Sequence, residues 1–219
     1  MKVLVFDTET TGLTKVKNPS IFDFEKWPYI VQLSYILYDT DTQVIDDLFD
    51  SVIRIPEDVE IDKVAEQLHN ISKEKSLNTG IDIKKALNIF NEALNKADIV
   101  VGHNVSFDKC LVMVECNRNN LRQAFTVNNI KKLEYCTMKN SKDICRIEKI
   151  SENGNKYFKY PKLSELHNTL FNSIPENCHN SLVDIVLCLR CYIKILNGLD
   201  LFETNEEIKT LLDPKNHNF

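Results

Sequence analysis

The sequence has no excess of positive charge: 27 Lys and Arg stand against 32 Asp and Glu, a formal −5. That excludes a protein that coats nucleic acid by bulk electrostatics, so any polyanionic ligand has to be met by a local arrangement. Long hydrophobic runs are missing as well. The most apolar stretch, residues 182–196, is interrupted by Asp184, Arg190 and Lys194, short of the roughly 18 uninterrupted apolar residues of a membrane span. The N-terminal apolar run, residues 3–6, stops at Asp7 and has neither the length of a secretory core nor a small-residue cleavage site. An intracellular, soluble, cytoplasmic protein is expected. The seven cysteines are odd in number and follow no framework, which fits reduced thiols. Cys188 and Cys191 form a CxxC pair inside a helical stretch, but no second pair completes a tetrahedral zinc site, so they read as core thiols. There is no internal repeat, and 219 residues leave no room for a second large domain.

What is present is apolar patterning. Residues 3–6 read as a strand buried on both faces. Residues 30–38 and 44–55 continue it as a three-strand meander, turned by the cluster at 39–42. The excursion at 14–29, which holds the only Trp, is longer than a hairpin needs. Helical spacing follows at 59–68 and at Ile83, Ala86, Leu87, Phe90 and Leu94. A buried strand at 99–101 leads through Gly102-His-Asn104 into an amphipathic helix over 106–117. A short strand at 135–136, a lysine-rich stretch, and helices at 163–170 and 182–196 complete the pattern. Three strands followed by helices alternating with short strands predict an α/β mixed sheet with helices on both faces.

The chemistry gathers first at Asp7 and Glu9. Two residues apart on a strand, they point to one side while Thr8 points away. Two acids on one face repel, and a divalent cation holds such a pair together. Taken alone, an Asp-x-Glu is more often a solvated strand end. The continuation changes that: Asp7-Thr-Glu-Thr-Thr-Gly-Leu13 resembles the first motif of the DEDD 3′→5′ exonucleases, the proofreading exonucleases and their relatives. Val101-Gly-His-Asn-Val-Ser-Phe-Asp108 is similar to their second motif and Cys178-His-Asn-Ser-Leu-Val-Asp184 to their third. His179 places the resemblance in the DEDDh branch, and it extends over nearly the whole chain to about residue 200.

The spacing in the third motif carries its own information. Five helical residues rotate by roughly 140°, so His179 and Asp184 cannot share a face of one helix. Ser181 offers an N-cap, which puts His179 on the preceding loop and Asp184 in the first turn. His69 and His103 read as structural or capping groups; His167 and His217 read as surface residues.

The resemblance implies a ribonuclease-H-like five-stranded mixed sheet, with residues 1–200 as the exonuclease domain and 201–219 as a C-terminal helix and tail. It implies that Asp7, Glu9, Asp108 and Asp184 hold two Mg²⁺ or Mn²⁺ ions near the 3′-terminal phosphate. His179 would then accept the proton of the attacking water, a task that suits an imidazole. Thr10 and Leu13 would hold and wedge the terminal nucleotide, with Asn104 and Phe107 ordering the floor and sugar contact; for Phe107 a core role fits as well. The product would be a nucleoside 5′-monophosphate cut from a single-stranded or frayed 3′ end, with DNA favoured and an RNA-trimming enzyme as the alternative. A non-catalytic polymerase-associated module would be expected to have lost an acid or the His, and all five are present. Proofreading or repair would need a polymerase or repair partner in trans. The Asn-, Lys- and Ile-rich composition points to an AT-rich coding genome, bacterial or viral.

Two segments fall outside the motifs. Residues 139–162 hold seven Lys or Arg against Asp143, Glu148 and Glu152, a local charge of +4. Asn153-Gly154 predicts a hairpin turn there, with Tyr157, Phe158 and Tyr160 among the lysines: a basic arm for a single strand, or a solvated hairpin. The 203–219 segment places Ile208, Leu211 and Leu212 on a short amphipathic stretch that docks on its own domain or on a partner.

Overall fold

The protein is described by a computed structural model covering residues 1–175 and 178–212. Its central strand, β1 (Lys2–Thr10), is apolar on both sides because both sides are covered. Leu4 and Phe6 enter one core cluster, Val3 and Val5 the other. Strand β2 (Ile30–Asp39) runs antiparallel to β1 with Asp7 opposite Ser34, and β3 (Val44–Val52) runs antiparallel to β2.

Three helices follow, α1 (Lys63–His69), α2 (Lys73–Thr79) and α3 (Ile83–Lys96), with Asp62, Ser72 and Asp82 as their N-caps. Periodicity does not announce α2, since Leu77 is its one apolar residue; its cap and the buried Ser76, bonded to Ile53 O at 2.7 Å, fasten it. The chain then returns to the sheet as β4 (Ile99–Gly102), parallel to β1, and leaves through α4 (Val105–Arg118). This helix is less amphipathic than its sequence suggests, because Val105, Leu111, Val112, Val114 and Cys116 are all buried beneath neighbours on several sides.

A two-residue hairpin joins β5 (Thr126–Val127) to β6 (Ile130–Lys131). Asn128 and Asn129 both take left-handed backbone there, which asparagine tolerates. Strand β7 (Leu133–Cys136) pairs parallel with β4, giving the sheet order β3-β2-β1-β4-β7. The expected five-stranded mixed sheet is thus present, with α3 and α4 on one face and the later helix over Ser181–Asn197 on the other.

Short helices α5 (Thr137–Asn140) and α6 (Lys142–Cys145) lead to the hairpin of β8 (Glu148–Ile150) and β9 (Lys156–Phe158). Its turn is not the tight Asn153-Gly154 reversal expected. Ser151 N–H reaches Asn155 O and Gly154 N–H reaches Ser151 O, each at 2.9 Å, closing a five-residue loop. Helices α7 (Leu163–Phe171) and α8 (Ser181–Asn197) pack together. The N-cap of α8 is Asn180 rather than Ser181: its side chain accepts from Leu182 and Val183 N–H, which frees the Ser181 hydroxyl. Cys188 and Cys191 are buried free thiols.

The chain continues as α9 (Leu201–Thr204) and α10 (Glu206–Thr210), whose Leu201 and Ile208 are buried in the α8 cluster with Leu211 and Leu212 against it. This stretch docks on its own domain. Arg190 fastens the junction, with Nε and Nη2 each 2.7 Å from the Asp200 carboxylate and the guanidinium lying 3.8 Å from the rings of Phe171 and Phe202. His167 is not a surface residue. It faces α8, accepts from Arg190 at 2.9 Å, donates to Ser173 O, and is 2% exposed. His217 and the end of the tail lie outside the described residues. Among the described residues no helix is long and apolar enough to cross a membrane.

Candidate active site

The C-terminal end of β1 delivers Asp7 and Glu9 toward the face covered by α8. Carboxylate oxygens of Asp7, Glu9 and Asp184 lie within 4.8 Å of one another. The freed Ser181 hydroxyl donates to Asp7 O at 2.8 Å, and Ser181 N–H faces Gln32 Oε1 at 3.4 Å. The start of α8 is therefore pinned to β1 and β2, and Asp184 is carried to the acids by a fixed helix. Asp108 arrives from the opposite face on α4. It is held on the strand by Thr8, whose N–H and Oγ1 donate to its Oδ1 at 3.2 and 2.7 Å. Thr8 points away from Asp7 and Glu9 for this purpose.

Burial pushes all four carboxyls above their ordinary range. Asp7 is raised well above it, by burial and then by Asp108, Asp184 and Glu9, with the Ser181 hydroxyl opposing. Glu9 is raised by burial, Asp184 and Asp108. Burial also raises Asp184 and Asp108, against hydrogen bonds from His179 and from Thr8. An oxygen-only donor set that is costly to ionise in the absence of a counter-charge matches a hard divalent cation.

His179 sits exposed on the turn before α8, with left-handed backbone at φ +74°. Its N–H donates to Asp184 Oδ2 at 3.1 Å, so the residue is tethered by its main chain, and among the described residues its imidazole makes no hydrogen bond. The other described histidines near the motifs are spent on structure. His69 accepts from Ile71 N–H at Nδ1 and donates from Nε2 to Thr10 O at 3.2 Å. His103 pairs with Thr137 Oγ1 and Pro161 O, both at 3.0 Å, and burial pushes it down to about 4.

A family model described as exonuclease matches residues 4–192. The chain belongs to this exonuclease family. Its fold is similar to that of Escherichia coli exonuclease I in complex with a dT13 oligonucleotide, at 15% identity and a TM-score of 0.67 over 96% of this chain and 46% of that one. The zinc-bound form of the E. coli exonuclease I complex with single-stranded DNA gives 17% identity and 0.66 over 97% and 45%. A moderately thermophilic exonuclease I from Methylocaldum szegediense gives 16% and 0.64 over 90% and 41%. At these identities the likeness is one of fold, and this chain spans less than half the length of those structures. No curated protein matches. The family is divalent-metal dependent, and Asp7, Glu9 and Asp184 form an acidic cluster with the spacing to hold an ion.

Around the acids, the exonuclease arranges the remaining motif residues in two groups. Thr10 Oγ1 donates to Gly12 O at 2.7 Å, and Thr11 is paired with Tyr29 through its N–H and its hydroxyl. Gly12 takes φ +152°, a conformation glycine adopts without strain, and the next side chain, Leu13, is 87% exposed. Asn104 caps α4 with left-handed backbone at φ +75° and makes no side-chain cap bond, so its amide is uncommitted to the helix. Phe107 is half-buried, 6.1 Å from the Trp27 ring.

Sequence reasoning missed Arg118, the residue that organises the 20–29 loop. Its guanidinium donates to the carbonyls of Pro28, Phe24 and Trp27 at 2.5–2.9 Å and to Glu115 Oε1 at 2.6 Å, and lies 4.0 Å from the Tyr29 ring. Partners that are backbone carbonyls some 90 residues away leave no side-chain pattern to read.

Proposed function

We propose that this chain is a 3′→5′ exonuclease acting on single-stranded or frayed 3′ ends of DNA and releasing nucleoside 5′-monophosphates. The observation that carries the reading is the convergence of Asp7, Glu9 and Asp184 from a strand end and a helix start, beside a histidine tethered through its backbone N–H. Asp7, Glu9, Asp108 and Asp184 would hold two Mg²⁺ or Mn²⁺ ions. Such ions neutralise the phosphate and make water a competent nucleophile at neutral pH.

The chain's own residues do the rest. Thr8 keeps Asp108 at the strand, and Ser181 keeps Asp184 against Asp7. His179 accepts the proton of the attacking water, and its position on a tethered turn lets the ring meet the substrate without displacing Asp184. Leu13 offers an exposed apolar side chain against the terminal base, Thr10 shapes the turn that presents it, and Asn104 and Phe107 order the floor and the sugar contact. DNA is the favoured substrate because the similar structures carry thymidine and adenine oligonucleotides. Proofreading or repair would be exercised in trans with a polymerase or repair partner, in the cytoplasm.

The test is a 5′-labelled thymidine oligomer incubated with Mg²⁺. The expected result is a ladder shortening from the 3′ end with thymidine 5′-monophosphate as product, abolished by Asp7→Ala. Release from the 5′ end, or faster attack on a matched RNA, would overturn the assignment.

A further inference from the structure

The basic excursion after β7 is anchored to the site at both ends by one side chain. His103, on the loop that also carries Asn104, meets Thr137 at the start of the excursion and Pro161 at its end. Lys139 Nζ lies 3.4 Å from Ser106 Oγ in the first turn of α4, two residues from Asp108. The excursion therefore leaves from, and returns to, the loop that opens α4, the helix that carries Asp108.

Its hairpin has two unlike faces, set by strand alternation. Glu148 and Phe158 are cross-strand partners on one face, which Ile150 and Lys156 share; Phe158 is half-buried, and Lys156 neutralises Glu148 at 2.9 Å. The other face pairs Lys149 directly with Tyr157 and has no carboxylate within the two strands. Glu152 is confined to the loop at the tip, and Lys159 Nζ at the base is bound by Glu165. Tyr157 is 50% exposed. Nearer the site a second pair repeats the arrangement: Lys142 Nζ lies 5.7 Å from the centroid of Tyr160, which is 52% exposed and immediately precedes the anchored Pro161. From its base at Ile147 and Lys159 the hairpin reaches roughly 15 Å outward.

We propose that Tyr160 with Lys142, and then Tyr157 with Lys149, form a two-step stacking track for the single strand leading away from the 3′-terminal nucleotide. The proposal rests on the exonuclease reading and names the surface by which that site keeps its substrate. Half-exposed tyrosines beside cations are what a flexible polyanion with stacking bases requires: each ring takes a base face of any sequence, and each lysine a phosphate. The arm thus supplies locally the positive charge that a chain with a net −5 lacks overall.

The test is binding of a 5′-fluorescein thymidine oligomer of about 20 nucleotides, followed by anisotropy in EDTA so that the strand is not shortened. Tyr157→Ala combined with Tyr160→Ala is expected to weaken binding about tenfold or more, while the double Phe variant stays within about twofold of wild type, since the ring and not the hydroxyl does the stacking. Lys142→Gln with Lys149→Gln is expected to flatten the slope of log K against log salt by about 1.4. Tyr157, Tyr160 and Lys149 are exposed and Lys142 is half-buried, and unchanged far-UV circular dichroism verifies the fold. Binding by the double Ala variant within about twofold of wild type, equal loss in the Phe variant, or no binding by wild type overturns the track. The exonuclease reading fails separately: in that case wild type binds the oligomer and, given Mg²⁺, releases no nucleotide.

Discussion

The backbone N–H of His179 donates to Asp184 Oδ2 at 3.1 Å, so the residue proposed as proton acceptor is joined to a proposed metal ligand through its main chain and not its ring. Ligand placement and proton transfer are thereby separable. In His179→Asn the amide bond persists, and Asn tolerates the left-handed backbone of this turn. Its kcat is expected to fall by about 10²–10⁴. Mn²⁺ affinity, measured by titration calorimetry, is expected to stay within about twofold. A large loss of Mn²⁺ binding would place the imidazole among the metal ligands instead.

The acids of the cluster work against folding when no cation is bound, because burial and mutual repulsion raise each of them. Asp7→Asn is expected to be inactive yet more stable than wild type in EDTA at pH 8, by on the order of 1 kcal/mol. Urea denaturation checks this, with Mn²⁺ expected to stabilise wild type far more than the variant. A lower urea midpoint for the variant in EDTA would contradict the repulsion argument.

Arg118 and Glu115 form an ion pair with side chains 10% and 3% exposed. Arg118→Ala strands the Glu115 carboxyl and releases three loop carbonyls, so a loss of about 3–5 kcal/mol in urea denaturation is expected. Because the loop carries Trp27 against Phe107, KM for an oligonucleotide should also rise, with kcat falling less. Adding Glu115→Gln should restore part of the stability but not the KM, since the loop carbonyls remain unheld.

His103 provides a pH signature. Burial lowers its folded pKa to about 4, against about 6.5 in the unfolded chain. As pH falls below about 6.5 the unfolded chain takes up the proton first, so stability is lost at up to about 1.4 kcal/mol per pH unit until about pH 4. His69 and His167, also lowered by burial, act in the same direction. The raised carboxyls act in the opposite one, so the informative quantity is the difference between wild type and His103→Gln. That difference should shrink between pH 7 and pH 5; a constant difference would mean that folding leaves the His103 pKa unshifted.

Much of this molecule was legible in the chain itself. The apolar run before Asp7, the β-rich stretch after Ile30 and the 3.6-residue spacing from Ile83 to Leu94 each reflect a local periodicity that burial imposes, and each became the expected element. The alternation that puts Asp7 and Glu9 on one face is equally local, and so is the separation of His179 from Asp184. What periodicity cannot encode is which distant group completes a local one. Ser181 looked like a cap, yet its hydroxyl is committed to Asp7 O across 174 residues while Asn180 does the capping. His167 looked exposed until α8 supplied Arg190 to cover it. Helix α2 and the Asn128-Asn129 hairpin had too little apolar content to announce themselves, and Arg118 binds carbonyls, which every residue has. Sequence determined the strands, the helices and the acids they bear; only the packing of α4 and α8 on opposite faces of one sheet decided that Asp184 meets Asp7 and Glu9 from one side while Asp108, bonded to Thr8, approaches from the other, because that choice depends on which face each helix covers.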